Sequence, residues 1–252
     1  MIPEIVSVVT SVRDGSETPV ERPTHCPSCG TSLTQDEGKV ALYCPARSTC
    51  PAQTSGALKA FVSKHAANID GMGEKIVDGL LALGYLSDFV SIYHLSGYRA
   101  LILELEGFEE LRTDNLFRAI EASRGMSLDR MLLGLCIPEV GRKTARILSD
   151  LVSGKVVKQG VSMSVALESL TYESLIEVRD IGPVVAQAIL DFIADHSDLI
   201  ERLIYEVQPA LTMGGTQGIL GGKSFCVTGS FEGVSRDEIH AVIEATGGVV
   251  RT

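Results

Sequence analysis

Tryptophan is missing from this 252-residue chain and aromatic residues make up only 5% of it, so its 45% of hydrophobic residues are mostly aliphatic. The scarcity does not deny it a core, because the length suffices for one large domain or two to three small ones. No apolar run approaches the ~18 residues of a membrane span. The N-terminus, Met1-Ile2-Pro3-Glu4, shows neither the basic nor the apolar region of a secretory signal. A cytoplasmic location with no membrane partner is therefore expected. Positive charge is short as well: 22 Lys and Arg stand against 32 Asp and Glu, a net charge of −10. That balance argues against a protein that holds nucleic acid by bulk electrostatics. A binder of this kind has to touch phosphates locally, through backbone N–H groups and a few placed cations.

Six cysteines are present, and four of them fall between positions 26 and 50. Cys26 and Cys29 form a Cys-x-x-Cys pair in Cys26-Pro27-Ser28-Cys29-Gly30. Cys44 and Cys50 follow after a gap of fourteen residues, with five between them. Zinc takes four soft ligands in a tetrahedron, which a tight knuckle and a second hairpin can supply. Gly30 and the prolines at 27, 45 and 51 suit the sharp turns. Four cysteines leave no open position, so the expectation is structural zinc on Cys26, Cys29, Cys44 and Cys50. His25 is adjacent to Cys26 and would strain such a site. Cys136 and Cys226 stand alone in apolar stretches and read as small buried hydrophobes. Disulfides are not expected in a reducing compartment.

The fold class expected is mainly α, with β pieces at both ends. Residues 1–20 read as an extended apolar strand, Ile5-Val6-Ser7-Val8-Val9, followed by a polar turn. One strand is not stable alone, so it belongs to a larger sheet. Residues 21–53 hold the cysteines. Residues 54–208 are helical, with apolar positions at three- and four-residue spacing, as in Leu58, Phe61, Val62 and His65. Residues 209–219 form a linker rich in Gly. In 220–252 a strand at Lys223 to Gly229 precedes an amphipathic helix capped by Ser235, and Gly247-Gly248-Val249-Val250 starts a second strand. This β-α-β piece is too short to bury a core alone, and both ends of the chain read as cut ends.

A glycine-centred signature recurs in the helical region. It reads Ile69-Asp70-Gly71-Met72-Gly73-Glu74-Lys75, Leu105-Glu106-Gly107-Phe108-Glu109-Glu110, Ile137-Pro138-Glu139-Val140-Gly141-Arg142-Lys143, and Val178-Arg179-Asp180-Ile181-Gly182-Pro183-Val184. The units are 32 to 41 residues apart, a period that implies stacked supersecondary units. In each, a helix ends, an apolar residue plugs a tight turn, and a Gly opens the next helix. That helix offers free N–H groups at its positive end, a ready phosphate site. Phosphates carry no base information, so such contacts are sequence-independent. The residues expected to touch DNA are Gly71, Gly73 and Lys75 in the first hairpin. In the third they are Gly141, Arg142, Lys143, Thr144 and Arg146, and in the fourth Gly182 and Val184. Glu109 and Glu110 would repel phosphate, so the second hairpin is expected to be structural. Pro183 removes one N–H from the fourth.

The order of elements resembles the C-terminal part of bacterial-type NAD-dependent DNA ligases: the end of an OB fold, a four-Cys zinc finger, four helix-hairpin-helix units and a BRCT domain. Ile2-Pro3-Glu4-Ile5-Val6 is similar to the last OB strand and Thr24-His25-Cys26-Pro27-Ser28-Cys29-Gly30 to the opening of the finger. Asn68 to Ile76 is similar to the family's first hairpin. Gly222 to Gly229 resembles the first BRCT strand, and Gly247-Gly248 its second turn. The resemblance covers essentially the whole chain. It implies nick sealing in replication and repair, in which AMP passes from NAD to a lysine, then to the 5′-phosphate of a nick, before the 3′-hydroxyl is joined. The family's adenylated lysine sits in a Lys-x-Asp-Gly motif that this sequence lacks; Lys75-Ile76-Val77-Asp78-Gly79 is one residue too long. The resemblance thus implies no catalytic residue here, NAD used by an adenylation/OB part in cis or in trans and not bound by this chain, and nicked double-stranded DNA as the partner. A split subunit, a gene fragment and a stand-alone DNA-structure-binding module remain open. The strand at 2–9 favours a ligase part over a self-sufficient module. The glycine turns disfavour a pure protein-interaction scaffold.

Overall fold

The computed structural model describes residues 7–35, 38, 40–212, 220, 223–229, 231, 233–234, 236–246 and 248–250. The chain divides into two compact units, Met1–Thr54 and Ser55–Thr252. Among the described residues, regular structure is overwhelmingly helical, as the periodicity predicts.

Among its described residues the first unit has almost no apolar interior. Its buried cluster is Cys26, Cys44 and Cys50, with Cys29, Leu33 and Ala46 packed against them. Val8, Val9, Val12 and Val20 are exposed. The strand read over residues 2–9 lies partly outside the described residues. Ser7–Val9 belong to no sheet and run into a 3-10 turn at Thr10–Val12.

The second unit is built on one continuous apolar core running from Leu58 to Val207. Its helices are α1 (Pro51–Val62, which begins in the first unit), α2 (Glu74–Ala82), α3 (Arg99–Leu103), α4 (Glu110–Ala122), α5 (Leu128–Gly134), α6 (Arg142–Gln159), α7 (Met163–Glu168), α8 (Tyr172–Ile176) and α9 (Pro183–Val207). A nine-residue 3-10 helix, Val90–Tyr98, lies between α2 and α3. The helices turn their periodic apolar residues inward: Leu58, Phe61 and Val62 of α1, Val77 and Leu80 of α2, Ala145, Leu148 and Val152 of α6. Burying the Leu, Val and Phe side chains among them stabilises the fold by about 1.5–3 kcal/mol each. Close approach also matters. A Cβ on Gly134 would fall 2.8 Å from the Phe61 ring and 3.0 Å from Ala66, so α5 packs on the end of α1 only because it carries no side chain there.

Polar bonds tie the first pair of hairpins to the second. Arg124 Nη1 donates to the Glu206 carbonyl and carboxylate at 2.5 and 2.9 Å, and its guanidinium lies over the Tyr93 ring. Arg130 Nε and Nη2 donate to the carbonyls of Ala66 and Lys64. The chain beyond α9 does not leave the body at 209. Leu128 N–H donates to the Ala210 carbonyl and Ala210 N–H to that of Met126, both at 2.9 Å. Thr212 N–H donates to the buried Ser153 hydroxyl at 3.1 Å. Residues 209–212, read from composition as the start of a linker, are thus docked on α5 and α6; 213–219 lie outside the described residues.

Beyond them, β1 (Ser224–Phe225) pairs in parallel with β2 (Val249–Val250), and α10 (Arg236–Ala245) is the crossover between them. The predicted cap Ser235 and Gly247 lie outside the described residues. Two cysteines depart from expectation: Cys136 and Cys226 are exposed. Cys136 sits at φ +54° just after α5, where the turn buries its neighbours Leu135 and Ile137 and leaves Cys136 exposed, its sulfur donating to the Gly134 carbonyl at 3.6 Å. Cys226 falls at the solvent-facing position of an alternating run, between the half-buried Phe225 and Val227.

Candidate metal centre and nucleic-acid interface

The four cysteines converge by local turns. Gly30 N–H donates to the Cys26 carbonyl at 2.9 Å, and Cys26 N–H to the Thr31 carbonyl at 2.8 Å, closing the knuckle that carries Cys26 and Cys29. Thr34 and Tyr43 exchange two backbone bonds of 2.9 Å and deliver Cys44. A 3-10 turn at Arg47–Thr49 then brings Cys50 back. All four Sγ atoms lie within 4.8 Å of one another. Cys26 and Cys50 are 3.9 Å apart, and Cys29 and Cys44 3.5 Å. A tetrahedron with zinc–sulfur bonds of ~2.3 Å has sulfur–sulfur edges of about 3.8 Å, whereas a disulfide needs ~2.05 Å. The set fits a tetrahedral ion. His25 stays outside it, exposed and bonded through Nδ1 to the Thr24 hydroxyl.

The thiols show why a cation belongs there. The Thr31 hydroxyl, 3.2 Å from Cys29 Sγ, and the Thr31 N–H pull the Cys29 thiol down to about 6. Cys44 moves the other way. A backbone hydrogen bond at Ala46 lowers it, yet burial and the three neighbouring thiols push it up to about 12. Each thiolate formed makes the next harder to form, and a dication removes that conflict.

The hairpins of the second unit share one backbone geometry. The third residue of each signature has positive φ: Gly71 at +80°, Gly107 at +78°, Glu139 at +63° and Asp180 at +76°. The fourth is a buried plug, Met72, Phe108, Val140 or Ile181. Its N–H donates to the carbonyl of the first residue, at 3.4, 3.0, 3.1 and 3.2 Å respectively. The fifth caps the following helix: Gly73 for α2, Glu109 for α4, Gly141 for α6 and Gly182 for α9, all in extended conformation. None of the four makes a side-chain capping bond, so no cap side chain covers the start of these helices.

Sequence reasoning located the glycine at the cap but missed the left-handed residue two positions earlier. Aligning the four signatures exposes it as the column Gly, Gly, Glu, Asp. The distinction is informative, because extended backbone does not require glycine at the cap and Glu109 occupies it without difficulty. A Cβ at Gly73, Gly141 or Gly182 would meet nothing within 4 Å. What glycine provides at these three positions is a bare approach to the helix end.

The second hairpin is closed from inside. Arg112 Nη1 donates to the Gly107 carbonyl at 2.6 Å and lies over the Phe108 ring. Arg99 spans Glu110 and Asp114 at 2.5 and 2.6 Å.

Two family models match the chain: the NAD-dependent DNA ligase C4 zinc finger domain over residues 25–52, and the helix-hairpin-helix motif over 130–200. The first spans all four converging cysteines, and the second spans the third and fourth hairpins. The chain is also similar along 99% of its length to curated proteins named DNA ligase. It is 37% identical over 258 residues to that of Chloroflexus aurantiacus, 37% over 257 to that of Saccharophagus degradans, and 35% over 260 to one of Bacillus cereus. This chain belongs with the NAD-dependent DNA ligases.

It corresponds to a C-terminal portion of such a ligase, and it spans 34%, 36% and 37% of the length of those three relatives. Within this ligase portion, most residues read from sequence are accessible. Gly71, Gly73, Lys75, Gly141, Arg142, Lys143, Gly182 and Val184 are exposed, and Thr144 is half-buried. Arg146, also expected to touch DNA, is more enclosed than these exposed residues. It is half-buried between the α5 and α6 carboxylates, 3.9 Å from Asp129 and 3.8 Å from Asp150, and braces the two helices of the third hairpin. Lys143 reaches a carboxylate of the fourth hairpin, Asp180, at 2.8 Å. No helix among the described residues is long and apolar enough to cross a membrane.

Proposed function

We propose that this chain is the DNA-gripping portion of an NAD-dependent DNA ligase, holding nicked duplex by its phosphate backbone while an adenylation/OB part, in cis or in trans, does the chemistry. One observation carries the reading: three of four geometrically equivalent hairpins present a helix N-terminus capped by glycine, with open space beyond its own chain neighbours where a Cβ would stand. Such an end offers free N–H donors and the positive end of the helix dipole to an anion. The first, third and fourth hairpins take phosphates. The second is structural, closed by Arg112 and carrying Glu109 and Glu110.

Lys75, Arg142 and Lys143 add cations beside these ends. Gly71 shapes the first loop, Thr144 lies in the first turn of α6, and Val184 flanks the Gly182 cap as an apolar contact. Cys26, Cys29, Cys44 and Cys50 would hold zinc, which supplies the cross-link that the first unit's sparse interior does not. Residues 1–20 would complete an OB-like sheet, 21–53 form the finger, 54–208 the four hairpin units with 209–212 docked on them, and 220–252 a BRCT-like unit reached through 213–219. NAD is used by the adenylation part, and the working compartment is the cytoplasm.

Nick sealing with NAD tests the reading, first with this chain alone and then with an added adenylation–OB fragment, beside a binding titration on nicked DNA. Binding by the chain, with sealing restored only when the fragment is added, is expected. Binding without rescue would move the chain to a stand-alone DNA-structure-binding module.

A further inference from the structure

The ion pair between the third and fourth hairpins joins two residues that the phosphate-gripping reading does not need paired. Lys143 is the second residue of α6, next to the Gly141 cap, and its side chain is 73% exposed. Its ammonium nevertheless lies 2.8 Å from the Asp180 carboxylate, itself 41% exposed. Asp180 occupies the left-handed position of its hairpin, φ +76°, where the first two hairpins carry Gly71 and Gly107. Backbone conformation therefore does not select an acid there; glycine serves as well or better. Arg179 precedes it and adds a second positive field on the same carboxylate.

We propose that Asp180 is a built-in counter-ion for Lys143, competing with the DNA phosphate that the third hairpin would otherwise hold more tightly. The proposal rests on the phosphate-gripping reading of that hairpin. A carboxylate and a phosphate oxygen want the same ammonium, so DNA engages Lys143 only by displacing Asp180. Because the pair is neutral as a whole, the exchange adds little net neutralisation of DNA charge and releases correspondingly few counter-ions. Asp180 thus lowers affinity and flattens the salt dependence, which favours release of duplex that does not engage every hairpin.

The test is a titration of nicked duplex at several salt concentrations with four full-length proteins: the natural chain, Asp180→Gly, Lys143→Met and the double variant. Thermal unfolding verifies that each is folded; glycine suits φ +76°, so Asp180→Gly should melt no lower than the natural chain. Asp180→Gly is expected to bind about two- to five-fold tighter, the worth of an exposed ion pair that no longer has to be broken. Its slope of log affinity against log salt should steepen by about 0.9, one more phosphate neutralised. In the Lys143→Met background the same substitution should have no such effect.

Equal or weaker binding by folded Asp180→Gly overturns the proposal while leaving the phosphate reading standing. Equal tightening in both backgrounds also overturns it, since the gain then comes from general charge removal. Binding by none of the four removes the phosphate reading, and the proposal with it.

Discussion

Gly141→Glu should silence the third hairpin without unfolding it. The cap backbone is at φ −92° and ψ −176°, an extended conformation open to any residue. An added Cβ meets nothing within 4 Å, and Glu109 already fills the equivalent place in the second hairpin at φ −109° and ψ 169°. The effect on folding should stay within about 0.5 kcal/mol, as for other surface substitutions. Binding should change far more. A carboxylate ~5 Å from a phosphate repels it by about 1 kcal/mol in water and about 3 kcal/mol at the effective dielectric near a protein surface. It also stands where the phosphate would take its N–H bonds, and charge-assisted bonds contribute about 1.5–3 kcal/mol each.

Salt and side-chain freedom reduce these figures, and the expected loss is about 10- to 100-fold in affinity. Fluorescence anisotropy on two nicked duplexes of unrelated sequence measures it, with thermal unfolding of the same sample as the control. The loss should be equal on both, because the third hairpin is read as touching backbone only. An unchanged affinity in folded protein would refute the reasoning, as would a loss confined to one sequence.

Metal analysis should return one zinc per chain, and chelation should open residues 21–53 to protease, because the unit's buried cluster is made of the ligands themselves; unaltered protease resistance would count against it. Asp150→Asn should raise the melting temperature at pH 7. Burial pushes Asp150 up more than Arg146 pulls it down, and its Oδ1 is buried without a hydrogen-bond partner. An acid raised in the folded state destabilises most above its folded pKa. That penalty fades as pH falls toward its unfolded value, so melts at descending pH should show the variant's advantage shrinking. Glu139→Gly should stabilise by about 1 kcal/mol, relieving a left-handed side chain at φ +63°, as chemical denaturation would show.

Much of this was legible because the chemistry is local in sequence. The cysteine spacing encodes its own turns, and each hairpin announces itself by an apolar plug one residue before a cap. What escaped was set by distant partners. The stretch beginning at Pro209 has linker composition, and only Ser149 and Ser153, buried on α6, show that Thr212 has somewhere to dock. Arg146 reads from its place near a hairpin as an open cation, and only the fold brings Asp129 of α5 within 3.9 Å of it. Cys136 sits in an apolar run, but the run turns a corner at that residue. The left-handed column was hidden because two of its four members are Glu139 and Asp180, residues that carry no turn signature as plain as glycine.

The disposition of charge bears on how so acidic a chain would hold a polyanion, as the proposed function requires. Among the described residues several of its cations are committed within the protein: Lys59 to Asp78, Arg99 to Glu110 and Asp114, Arg124 to Glu121 and Glu206, Arg202 to Asp88, Arg146 to Asp129 and Asp150, and Lys143 to Asp180. A grip resting on such side chains would first have to break these pairs. The hairpin caps carry no such debt, since their N–H groups are left over by the helix itself. The positive ends that would meet phosphate are therefore fixed by backbone geometry, which the plugs Met72, Val140 and Ile181 hold from beneath. This predicts where binding is fragile: at the bare caps Gly73, Gly141 and Gly182 before any single lysine.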